Sequence, residues 1–65
     1  MTNNTKIELI TGTTIIVKED YKTVADNMAN LKEHIIEFAE LLGNSHSISK
    51  KRMIQKIHVV SFYEY

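Results

Sequence analysis

The residues best equipped for chemistry form one polar run, Ser45, His46, Ser47, Ser49, Lys50, Lys51 and Arg52. Hydroxyl, imidazole, ammonium and guanidinium groups all bind phosphate, and arginine grips it through two parallel hydrogen bonds. The run reads as a turn, where backbone N–H groups are also free to help hold an anion. Tyr63 and Tyr65 lie further along and offer rings that can stack on a base. His46, Ser47, Ser49, Lys50, Lys51, Arg52, Tyr63 and Tyr65 therefore make up the candidate ligand-binding set, suited to a small phosphorylated ligand. The plainer reading is a solvated turn with Glu33, Glu37 and Glu40 nearby, and tyrosines packed in a core or interface. That is the commoner role of charge runs and of aromatic side chains.

Other chemistry finds less support. His34, His46 and His58 are scattered, and no histidine pair has the four-residue spacing of a helical metal site. There are no cysteines, so disulfides and the usual zinc ligands are missing. Ser45, His46 and Ser47 are sequence neighbours, which rarely make a working nucleophile and base. No cysteine nucleophile, glycine-rich phosphate loop or carboxylate dyad is present. The expectation is a protein that is not an enzyme and uses neither metal nor cofactor.

A chain of 65 residues allows a single domain, residues 1–65. Folds this small bury little surface, and a lone core supplies roughly 3–5 kcal/mol. Without disulfides or a metal, association is the remaining reinforcement, so a homo-oligomer, a dimer or larger, is expected. Formal net charge is zero, which argues against a generic nucleic-acid coat. The apolar fraction of 43% is that of a globular domain. Met1–Thr5 has no basic region followed by an apolar run, so no signal peptide is expected. The apolar runs are too short to span a bilayer, and a cytoplasmic location is the default expectation.

These groups must be positioned by a few elements. Residues 1–4 are polar and are expected to fray. In residues 6–10, Ile7 and Leu9 alternate with Lys6 and Glu8, the period of a half-buried strand. Gly12 suits a tight turn, and Thr14–Lys18 is β-branched, so residues 5–18 read as a β-hairpin. Asp20 or Thr23 can cap a helix running to Leu42, with Gly43 and Asn44 as its stop. Val24, Met28, Leu31, Ile35, Phe38 and Leu42 recur at steps of four and three, a heptad-like apolar seam. Such a helix, about 20 residues and roughly 30 Å long, overreaches a small sheet. The polar segment 44–52 is expected to hold a short strand near Ile48 and then a turn, and after it residues 53–65 are β-prone. Ile57, Val59 and Tyr63 would lie on one face, Ile54, Val60 and Phe62 on the other. The expected fold class is α+β, in the order β-β-α-β(-β), with a small antiparallel sheet and one long helix, assembled as an oligomer. The expected interface comprises Met28, Leu31, Ile35, Phe38, Leu42, Val60 and Phe62.

The stretch Leu9-Ile10-Thr11-Gly12-Thr13-Thr14-Ile15-Ile16-Val17-Lys18-Glu19, followed by Val24 and Met28, resembles small flagellar FlbD-type proteins. It is similar also to the hairpin-then-helix signature of small phage and prophage proteins. The resemblance spans residues 9–28. It implies an accessory or phage-type protein and carries over no functional residue. Three functions are therefore expected in competition. The first is an oligomeric binding protein that modulates a partner, such as a host protein, by direct contact. The second is an oligomeric sponge that sequesters a small phosphorylated ligand such as a nucleotide signal. The third, a nucleic-acid-binding regulator, is disfavoured by the zero net charge. No membrane partner is expected.

Overall fold

In the computed structural model, which describes residues 4–65, the alternating segment becomes strand β1, Thr5–Leu9. Ile7 and Leu9 point into the core while Glu8 is exposed. Strand β2, Thr14–Val17, returns antiparallel, with Ile7 opposite Ile15 and Thr5 opposite Val17. Gly12 adopts a φ of 87°, and its N–H closes the turn onto the Leu9 carbonyl at 2.9 Å. A side chain at that φ would be strained, so glycine is required there. The hairpin expected over residues 5–18 is present. Of the segment expected to fray, residues 1–3 lie outside the described residues. The Asn4 carbonyl accepts a hydrogen bond from the Tyr65 N–H at 3.1 Å.

Helix α1 spans Tyr21–Ala29. Asp20 is its N-cap, with Oδ1 accepting from the Thr23 N–H at 2.9 Å. The Thr23 hydrogen bonds, side chain first and backbone second, hold the Asp20 carboxyl below its ordinary value. Val24 is fully buried, and Met28, one turn on, packs against the core. The Tyr21 ring lies 5.3 Å from that of Phe62, centroid to centroid.

The long helix expected to reach Leu42 is not what forms. Among the described residues the fold is mostly β, five antiparallel strands and one short helix, rather than α+β with a long helix. Asn30 ends α1: it sits at φ −75° and ψ 106°, and its side-chain oxygen accepts from the Lys32 N–H at 3.0 Å. That local bond competes with helical continuation. Ile35–Leu42 then becomes strand β3, in which Ile36 and Phe38 are buried and Glu37 between them is exposed. Period two thus overrides the steps of three and four, and Leu31, counted in the helical seam, is 90% exposed in the turn. The helical seam is therefore not available as an oligomer interface, since Ile36 and Phe38 serve this chain's own core.

Strand β4, Ile48–Gln55, pairs with β3 along its whole length. A single 3-10 turn, Lys56–His58, leads to β5, Val59–Glu64, which pairs with β1. The sheet order is β4-β3-β2-β1-β5. In a flat sheet the outer strands β4 and β5 would stand about 19 Å apart, four strand spacings. The chain from Gln55 to Val59 can span at most about 14 Å. The sheet must therefore roll, and its inner faces meet in one core of Ile7, Leu9, Ile15, Val17, Val24, Ile36, Phe38 and Ile54.

The β2–β3 seam is thin, with Val17 opposite Glu40 as its one paired position. The Lys18 N–H reaches the Ala39 carbonyl at 2.8 Å. The Ala39 N–H, which a longer β2 would satisfy, donates to both carboxylate oxygens of Glu19 at 3.1 Å. The buried Thr5 hydroxyl donates to the Glu19 carbonyl at 2.9 Å, fixing that residue from behind.

Candidate functional site

Only the first part of the basic run, Ser45, His46 and Ser47, lies in a turn. The reversal occupies residues 43–47, with Gly43 at φ 89° and His46 at φ 54°. Ser49, Lys50, Lys51 and Arg52 lie on β4, where only Ile54 is buried. Strand alternation then divides the cations between faces. Lys50 and Arg52 share the side that carries Ile54, opposite Glu40 and Phe38, whereas Lys51 and Ser49 emerge on the outer side, opposite Ala39 and Leu41. Arg52 donates to Glu40 at 3.1 Å.

The remaining candidates are distributed in the same way. Tyr63 stands on the outer face opposite Lys6. Tyr65 is placed near His46, whose ring centroid is 5.9 Å away, and under the Lys6 ammonium at 5.6 Å. Ser47 belongs to the reversal, and its hydroxyl oxygen accepts from the Ser45 hydroxyl at 3.1 Å. The structure thus brings His46 and Tyr65 together but parts Lys51 from Lys50 and Arg52. Of the expected interface residues, Phe38 is in the core, Met28 and Phe62 pack against it, and Leu42 is half-buried. Leu31, Ile35 and Val60 are exposed in separate places. Among the described residues no three His, Cys, Asp or Glu side chains converge to hold a metal ion. No described helix is long and apolar enough to cross a membrane.

What the basic residues do share is a sheet edge. β4 is the end strand, and its pairing with β3 fixes which backbone groups face outward. The Lys56 N–H bonds the His34 carbonyl at 2.9 Å, which makes the position before Ile35–Gln55 a hydrogen-bonded pair. Antiparallel ladders alternate bonded and non-bonded pairs. Ser49, Lys51, Met53 and Gln55 are therefore the residues whose N–H and C=O groups turn away from β3. Ala39, on the other strand of the same kind of pair, confirms the phase, because its backbone groups point to Lys18 and Glu19. Among the described residues nothing pairs with this edge.

Beside the Arg52–Gln55 end of the edge lies a groove of about 320 Å³. Leu9, Ile10, Met53 and Ile54 form its apolar lining, with Arg52 and His58 at its polar margin. Ile10 and Met53 are 64% and 61% exposed, so the groove presents apolar surface to solvent. Ile10 and Met53 are not among the site candidates that the sequence offers, and His58 enters there only as one of three scattered histidines weighed for metal. Ile10, an isoleucine in a hairpin turn, was the one signal available, since such turns are usually polar. Comparison with family models, curated proteins and solved structures gave no match.

Proposed function

We propose that this chain is a non-enzymatic binding protein that engages a partner protein by adding an extended segment of the partner to the β4 edge. One observation carries the reading: an eight-residue, solvent-exposed end strand whose outward backbone groups have no partner among the described residues, bordered by an apolar groove. Strand addition draws its affinity from main-chain hydrogen bonds and its specificity from pockets for alternate side chains. Natural edge strands are usually short, bulged, covered or charged; β4 has the charge of Lys50, Lys51 and Arg52, which guards against like-charged strands and leaves an oppositely charged one free to pair. β4 pairs with β3 without a register break, and no other described strand pairs with it.

The test uses a displayed library of random extended peptides. Selected peptides should slow hydrogen exchange at the Ser49 and Lys51 amides and leave the Ala39 amide unchanged. Ser49→Pro removes one outward N–H without touching the β3 ladder, a position where an edge strand tolerates proline. It should abolish capture while the melting temperature stays within a few degrees. A library that yields no binders, or binders that protect amides elsewhere, refutes the reading.

A further inference from the structure

We infer that the segment received by β4 is acidic, and that it belongs to another protein rather than to a second copy of this chain. The inference rests on the docking reading above and adds the chemistry of the partner. Lys50, Lys51 and Arg52 occupy the middle of the edge strand, all exposed. The acids that offset them, Glu37 and Glu40, lie on β3, one strand spacing further in, about 4.8 Å. A strand laid outside β4 meets the cations first. Arg52 is engaged by Glu40, while Lys50 and Lys51 have no bonded partner among the described residues. Alternation sends Lys51 to the outer face and Lys50 and Arg52 to the inner one. Acidic side chains on either face of an added strand would therefore each find a cation across from them. Opposite charges directly across a sheet stabilise the pair and like charges destabilise it.

The same charges oppose a second copy paired edge to edge through β4. Two β4 edges can pair antiparallel only if outward-facing residues oppose outward-facing residues. The two-fold registers that overlap nearly the whole strand are then those centred on residue 51 or residue 52. The first sets Lys51 against Lys51 and Lys50 against Arg52; the second sets Arg52 against Arg52. Both oppose like charges in the middle of the new seam. An acidic strand meets no such conflict, and an apolar side chain toward its end would reach the groove at Ile10 and Met53.

Three synthetic ten-residue peptides with one apolar residue near an end and Glu, Gln or Lys at the central positions provide the test. Binding to the intact chain is followed by fluorescence anisotropy at low and high salt. The Glu peptide should bind roughly ten-fold tighter than the Gln peptide at low salt, from about three cross-strand charge pairs. The margin should shrink as salt screens exposed charges. Lys51→Glu should narrow the margin between the Glu and Lys peptides, and Lys50→Glu with Lys51→Glu should reverse their order, a gain that a folding defect cannot mimic. Ser49→Pro should abolish binding of the Glu peptide. Equal affinity for the three peptides, all lost in Ser49→Pro, overturns the acidic preference and leaves strand docking standing. Glu-peptide binding that survives Ser49→Pro, or no binding by any peptide, overturns both. A dimer of the free protein that Ser49→Pro dissociates makes the occupant a second copy and overturns the inference.

Discussion

Replacing Phe38 and Leu31 separately distinguishes the strand from the helix that the apolar spacing predicts. On a continuous helix the two side chains would share one seam and matter comparably. In the structure Phe38 is 1% exposed and Leu31 is 90% exposed. Phe→Ala in a core costs about 3–5 kcal/mol. A 65-residue chain has a total stability of roughly 3–10 kcal/mol at the usual increment per residue. Phe38→Ala would thus leave little or no folded protein, and Phe38→Leu is the informative variant. Its smaller loss of buried carbon costs about 1–2 kcal/mol. With a urea slope near 1 kcal/mol per molar, typical of the smallest domains, the unfolding midpoint should fall by about 1–2 M. Leu31→Ala removes a side chain that is almost wholly in water and should move the midpoint by less than about 0.5 M. Urea titration at 25 °C, followed by far-ultraviolet circular dichroism, reads both shifts. Equal shifts for the two variants would refute the β3 assignment and the core built on it.

Glu19→Ala should strip the acceptor from the Ala39 N–H, at a cost of about 1–3 kcal/mol. Hydrogen exchange at Ala39 should accelerate well beyond that at the Lys6 amide, and unchanged protection at Ala39 would contradict the carboxylate's place in the seam. The Asp20 carboxyl is held below its ordinary value of 3.8, so its stabilising effect is present above that value. It is lost as pH falls through the folded-state value. Asp20→Asn keeps a capping oxygen but does not titrate. The stability gap between the two proteins should be constant above about pH 5 and narrow with acidification below the ordinary carboxylate range; a gap that widens in acid contradicts the cap.

The hairpin was legible because Ile7 and Leu9 alternate cleanly with charged residues and Gly12 marks the reversal. The middle of the chain was not, because Ile35, Phe38 and Leu42 satisfy helical steps while Ile36 and Phe38 also satisfy period two. What decides between them is local: the Asn30 side chain bonds the Lys32 N–H and halts the helix, and β-branched Ile35 and Ile36 favour extended backbone. The basic run stands out by residue type, but its turn-like composition misleads for a related reason. Ser49 looks like a turn residue but lies on β4, while the reversal ends at Ser47 and uses Gly43 and His46 at positive φ. Once Lys50 and Lys51 sit on a strand they point to opposite faces, and only the fold reveals that the strand carrying them is an edge. The groove depends on Leu9 and Met53 meeting across the rolled sheet, which no local pattern encodes.

The pairing of β1 with β5 has a kinetic side. The β1–β2 and β3–β4 hairpins join close neighbours in sequence, and such hairpins form within about 1–10 μs. The seam that completes the roll is different: Ser61 bonds Glu8 across 53 positions of chain. Closing so large a loop is entropically unfavourable before any of its contacts form. Chains dominated by such distant pairings fold in roughly milliseconds to seconds. Until that seam closes, Ile7 and Leu9 lack the cover of Phe62 and Val59, and the flank of β1 is a second open edge. The interval before closure is when this sequence is most exposed to mispairing, and the charge of Lys6 and Glu8 on that strand is its guard against it.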